Sequence, residues 1–122
     1  MQSKVLIIYT GGTIGMVQDA QSGQLKPFDF EYLTDQIPEL AKFDIDISSV
    51  AFDEPIDSSD MLPEHWLRLT NIITDNYDDF HGFVILHGSD TMAYTASALS
   101  FMLENLTKPV ILTGSQLPIG TI

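Results

Sequence analysis

Three short apolar runs, each breaking directly into glycine and hydroxyl residues, constrain the fold of this chain more than any other feature. Residues 5–9 run into Thr10, Gly11, Gly12 and Thr13; residues 83–86 run into His87, Gly88 and Ser89; residues 110–113 run into Gly114 and Ser115. Uninterrupted apolar stretches of this length mark parallel strands buried on both faces, since a strand with one wet face alternates instead. A fourth segment does alternate. Phe43, Ile45 and Ile47 interleave with Asp44, Asp46 and Ser48, which predicts a strand at a sheet edge.

Between these runs the period changes to that of a helix. Trp66, Thr70, Ile73, Tyr77 and Phe80 recur at helical spacing behind Pro63, a residue tolerated in a first helical turn, so a helix is predicted over 63–80. A second is predicted from just after Asp90 to about Leu106, with Met92, Thr95, Ala96, Leu99, Met102, Leu103 and Leu106 on one face. A short helix is expected over 30–37, closed near Pro38. Residues 17–27 mix Gln, Asp, Ser and Gly without hydrophobic period and read as a solvated, mobile loop. Strands alternating with helices imply right-handed crossovers. The expected fold is α/β: an open, doubly wound parallel sheet of about four strands in spatial order 2-1-3-4, with helices on both faces. Residues 117–122 follow a strand without entering a helix, so the sheet is expected to be incomplete and the chain truncated.

Composition narrows the partners. In 122 residues, 44% of them hydrophobic, there is enough apolar material for one packed unit. Five Lys plus Arg against 17 Asp plus Glu give a net charge of -12, which repels phosphate backbones and anionic membrane faces. Neither nucleic acid nor a membrane is an expected partner. Without cysteine there is no disulfide framework and no thiolate zinc site, and three unclustered histidines predict no metal centre. No apolar stretch approaches the roughly 20 residues that span a bilayer. The start carries no signal-peptide pattern, so a cytoplasmic protein is expected.

In an open parallel sheet, ligands bind beyond the carboxyl ends of the strands. There the sequence places Thr10 to Thr13, then Asp57, Ser58, Ser59 and Asp60, then His87 to Thr91, then Thr113 to Gln116. Thr13 beside paired glycines fits a hydroxyl nucleophile, because glycine lets backbone N–H groups approach a substrate closely. Spacing alone favours a turn or a phosphate cradle, with Thr13 capping backbone, because short glycine-threonine motifs are common. Ser89 and Asp90 also suit the N-terminus of the following helix. Residues 57–60 also suit a plain turn, and His87 reads as a satisfied strand-end histidine.

Taken together, TGGTIGM at 10–16, DSSDM at 57–61, HGSDTM at 87–92 and TGSQLP at 113–118 resemble the ordered motif series of bacterial L-asparaginases. The similarity is nearest to the cytoplasmic type I branch and covers essentially the whole chain. It implies that residues 1–122 are the N-terminal portion of that family's N-terminal domain, without the smaller C-terminal domain, and that this piece is inactive alone. It further implies Thr13 as nucleophile, Ser89 and Asp90 as the second catalytic group, and Asp57, Ser58 and Ser59 as the binders of the substrate's α-amino and α-carboxylate groups. The implied substrate is L-asparagine, hydrolysed without metal or cofactor in a homo-oligomer. Ser89 stands where the family carries threonine, keeping the hydroxyl but losing the methyl that stiffens the rotamer. Residues 17–27 hold no tyrosine, though family members commonly place one on that loop. The family's catalytic lysine is expected beyond Ile122, because Lys108 precedes the fourth strand. Two rivals stand beside this reading. One is an asparaginase-like subunit of a tRNA-dependent amidotransferase, disfavoured by the acidic charge. The other is a nucleotide-binding α/β module using residues 10–15, which lack the lysine of a P-loop.

Overall fold

The computed structural model describes residues 2–27 and 37–119. In chain order its strands are β1 (Ser3–Tyr9), β2 (Met16–Gln18), β3 (Leu25–Pro27), β4 (Ile45–Ala51), β5 (Gly82–Leu86) and β6 (Val110–Thr113), and its α-helices are α1 (Pro63–Asn76) and α2 (Met92–Met102). β4, β1, β5 and β6 lie side by side in that order and pair in parallel, which is the expected 2-1-3-4 arrangement. The alternating segment occupies an edge, as its pattern predicts.

Topology decides which face each connection covers. The chain steps one way from β1 to β4, then the other way from β4 past β1 to β5, and on to β6. Right-handed crossovers that step in the same direction lie on the same face. Accordingly Leu69 and Ile73 of α1 and Leu99 of α2 pack into one cluster with Leu6, Ile8, Phe83 and Ile85. Each such fully buried side chain contributes about 1.5–3 kcal/mol. The opposite face centres on Tyr9 and Leu86, against which Ile7, Ile14, Val17, Ile37, Leu40, Ile47 and Val84 pack. The helix expected over 30–37 falls outside the described residues apart from Ile37, the residue before a 3-10 turn at Pro38–Lys42.

Both helices stop short of expectation. α1 ends at Asn76, whose side-chain amide donates to the Ile72 carbonyl, and a turn from Asn76 to Asp79 follows. Past α2, Leu103 is already extended and Asn105 takes a left-handed φ of 57°, so no helix reaches Leu106. Residues 17–27 are not an irregular loop: β2 and β3 pair antiparallel. The hairpin is closed by Asp19, whose carboxylate accepts from the Gln21 and Ser22 N–H groups at 2.7 and 3.2 Å and lies 3.5 Å from Lys26 Nζ. Local turn chemistry of this kind forms a hairpin without hydrophobic alternation.

Candidate active site

Because strand order reverses around β1, the connections after β1 and β5 run on in opposite directions, and the switch point at their carboxyl ends is where such a sheet binds ligands. An open cleft of about 360 Å³ lies there, lined by Gly12, Thr13 and Met16 after β1, residues 55–58 after β4, Gly88, Ser89 and Asp90 after β5, and Ser115 and Gln116 after β6. The structure thus brings Thr13, Asp57, Ser58, Ser89 and Asp90 together. Ser59 is exposed and is not on the cleft wall. Its N–H and hydroxyl donate to Asp57 Oδ1 at 3.0 and 2.9 Å. Those two bonds hold the Asp57 carboxyl below the usual aspartate range.

The three loops press together, backbone against backbone at Gly12 and Gly88 and backbone against the Ser58 side chain at Gly88. Gly12 has φ 92° and ψ 161°, and a Cβ on it would stand 2.8 Å from Gly88 N. A Cβ on Gly88 would in turn stand 2.7 Å from Ser58 Oγ. Tyr9 props the arrangement from beneath. Its buried hydroxyl donates to the Gly12 carbonyl at 3.0 Å, and burial raises its pKa, so it stays a neutral donor. From the other side the Thr91 hydroxyl donates to the Ser58 carbonyl at 2.6 Å.

Capping and chemistry make different demands on Thr13. The 3-10 turn Thr13–Gly15 has Gly12 at its N-cap and no side-chain capping bond. Among the described residues the Thr13 hydroxyl bonds no backbone group of that turn, and the half-buried residue lines the cleft. Thr10 is the reverse case: it is buried, and its hydroxyl donates to the Leu86 carbonyl at 2.9 Å. Ser89 and Asp90 do not cap α2, whose N-cap is Thr91 without a side-chain bond.

His87 is fully buried behind the cleft. Its Nδ1 lies 2.6 Å from the Gly88 carbonyl, an acceptor only, so Nδ1 carries the hydrogen. Nε2, 2.8 Å from Thr95 Oγ1, must then accept from that hydroxyl, which itself accepts from Trp66 Nε1–H at 2.9 Å. One continuous run of donors, Trp66 to Thr95 to His87 to Gly88, ends in the cleft loop. Burial lowers the His87 pKa, consistent with a neutral ring. Of the other histidines, Nδ1 of His65 accepts from Leu62 N–H at 2.9 Å at the start of α1, and Nδ1 of His81 accepts from Lys4 N–H at 2.9 Å. Among the described residues no group of His, Asp and Glu is arranged to hold a metal ion, and no helix is long and apolar enough to cross a membrane.

Sequence reading missed the supports rather than the cleft. Tyr9 reads as the last residue of an apolar run, Thr95 and Trp66 as helix residues, and Thr91 as one more member of the post-strand segment. The available signal was a polar atom at positions whose period required burial, since a buried hydroxyl or indole N–H needs a partner.

Comparison with known proteins gives a consistent picture. A family model described as "Asparaginase, N-terminal" matches residues 4–122. L-asparaginase 1 of Escherichia coli (strain K12) is 50% identical over 128 residues, covering 100% of this chain and 37% of its own length. The crystal structure of L-asparaginase I from Vibrio cholerae superposes with a TM-score of 0.84 at 48% identity, over 98% of this chain and 35% of that one. The crystal structure of the Probable Cytoplasmic L-asparaginase from Campylobacter jejuni gives a TM-score of 0.69 at 34% identity, over 99% and 35%. The chain spans little more than a third of the length of each of these relatives.

Proposed function

The chain belongs to the asparaginase family, and from that premise we propose that it carries the nucleophile and the substrate-binding edge of an L-asparagine amidohydrolase. The observation that carries the reading is Thr13: a hydroxyl that does not cap its own turn, facing a cleft that also holds Asp57, Ser58, Ser89 and Asp90. Asparagine fits the chemistry of that cleft. The Asp57 carboxylate, kept ionised by Ser59, pairs with the α-ammonium group, and the Ser58 segment receives the α-carboxylate. This leaves the side-chain amide directed at Thr13.

Thr13 Oγ1 attacks the amide carbon, and the developing oxyanion is met by backbone N–H groups of the glycine loop. As the C–N bond breaks, the proton that the Thr13 hydroxyl gave up on attack passes to the nitrogen, which leaves as ammonia, and an ester joins the substrate acyl group to Thr13. Water adds to that ester, Thr13 regains its proton, and aspartate departs. Ser89 and Asp90, on the facing loop, handle the protons. The chemistry requires no metal or cofactor. The working enzyme is a cytoplasmic homo-oligomer, a reading supported by the name of the Campylobacter jejuni relative for compartment and by the resemblance alone for assembly.

Ammonia release by the intact protein, measured with asparagine and with glutamine, tests this. Turnover of free asparagine is expected. Release only in the presence of aminoacylated tRNA would favour the amidotransferase reading, and nucleotide binding without amide hydrolysis would favour a phosphate-loop module.

A further inference from the structure

We propose that Gln116 is a positioning residue for Ser89, and that it supplies by hydrogen bonding the side-chain restraint that a β-methyl group would otherwise give. This rests on the amidohydrolase reading of the cleft. Ser89 is exposed and sits on a turn after β5, outside any helix or strand. A serine there has three staggered χ1 wells and no β-branch to select one. Gln116 reaches across from the loop after β6, and its Nε2 donates to Ser89 Oγ at 2.9 Å, a contact between residues 27 positions apart. Both side chains line the same cleft.

The direction of the bond matters as much as its length. A hydroxyl has one hydrogen and two lone pairs. Because the amide fills a lone pair, the Ser89 hydrogen stays available, and among the described residues no acceptor claims it. Ser89 is thereby set as a donor towards whatever occupies the cleft, beside Asp90. Gln116 itself is held at a defined place: the next residue's N–H, that of Leu117, donates to Ser115 Oγ at 3.0 Å, and Ile119 N–H donates to the Ile14 carbonyl at 2.9 Å. The second of these bonds ties the β6 loop to the turn that contains Thr13. The loop carrying Gln116 is thus anchored on the nucleophile's side while its amide reaches the opposite wall.

The experiment is a double-mutant cycle in the intact protein with Gln116→Leu and Ser89→Thr. Gln116→Leu is expected to lower kcat roughly three- to tenfold, the range of one net hydrogen bond, with KM nearly unchanged. In the Ser89→Thr background, where the methyl restrains χ1, the same change should lower kcat less than twofold. Gln116→Glu should be worse than Gln116→Leu, since a carboxylate accepts the Ser89 hydrogen and reverses the bond. Equal losses from Gln116→Leu in the two backgrounds would overturn the proposal. If Ser89→Ala abolishes turnover while Gln116→Leu has no effect, the proposal fails and the amidohydrolase reading stands. A second readout is independent of activity: NMR couplings should give a single Ser89 χ1 in the native protein and an averaged one in Gln116→Leu. An averaged native χ1 would overturn the proposal even in a protein that turns over no amide.

Discussion

The two rims of the sheet carry similar residue types and use them in opposite ways. At the amino rim the polar groups are bonded to one another. Lys108 Nζ donates to the Tyr77 carbonyl at the end of α1 and lies 4.7 Å from that ring's centre. The Tyr77 hydroxyl takes the Thr107 N–H at 2.8 Å and pairs with the Thr107 hydroxyl at 3.1 Å, and Lys4 and His81 exchange bonds. At the carboxyl rim, Thr13 does not cap its turn, the Ser89 hydrogen is left available, and the loops pack through the Gly12 and Gly88 backbone and the Ser58 side chain. The difference teaches that hydroxyls and carboxylates are not themselves a sign of a site. What distinguishes a site is that the fold is complete without them.

If that contrast is right, the largest effect belongs to Thr13. Thr13→Ala should lower turnover by about three orders of magnitude or more while the melting temperature stays within about 2 °C, because no capping bond is lost. Thr13→Ser should keep part of the activity. An alanine variant that melts early yet turns over normally would break the comparison outright.

Next in size is Asp57→Asn, which removes the charge but keeps an acceptor for Ser59. KM for asparagine should rise about 10- to 100-fold with little change in kcat. The pH dependence sharpens this. Ser59 lowers the Asp57 pKa, so binding that needs the carboxylate is fully present at neutral pH and is lost as the pH falls through that depressed value. Ser59→Ala should move the acid limb of a KM–pH profile upwards, and an unmoved limb would separate Ser59 from Asp57.

Behind the cleft, Thr95→Val deprives both His87 Nε2 and Trp66 Nε1 of a partner and should destabilise by about 1–3 kcal/mol in urea unfolding. The His87 ring is held neutral by burial, so its folded pKa lies below the unfolded value of about 6.5. As pH drops below that value the unfolded chain binds the proton first. This stabilising contribution, present above about pH 6.5, is lost as pH falls towards the folded pKa. His87→Gln should therefore flatten the fall of melting temperature with acid. The smallest effect is at the amino rim, where Tyr77→Phe should cost about 1 kcal/mol and leave kcat unchanged. A change in kcat there would blur the distinction between the rims.

Much of this was legible in the sequence because it rests on period and punctuation. Apolar runs ending in glycine fixed the strands of the main sheet, their order and the rim where the loops converge. Alternation at residues 43–48 put β4 at an edge. The hairpin of β2 and β3 was not legible as alternation, since it is held by one carboxylate turn at Asp19. Helix ends were missed because apolar spacing continues to Phe80 and Leu106 after the backbone has left the helix. In the cleft, loop residues could be named from topology and motif, but Ser59 could not be told from Ser58. Only the fold reveals that the first turns its hydroxyl to Asp57 while the second lies on the wall.

The contact of Gly12, Gly88 and Ser58 has a consequence for anyone reshaping this cleft. Its floor is made of the Gly12 and Gly88 main chain and the small Ser58 side chain, and each loop is the mould for the next. A Cβ at Gly12 would push against the Gly88 loop, and one at Gly88 against the Ser58 loop, so substitutions at either glycine would force neighbouring loops apart. Libraries aimed at new amides should leave the floor alone and vary Met16, a wall residue to which no positioning bond is assigned.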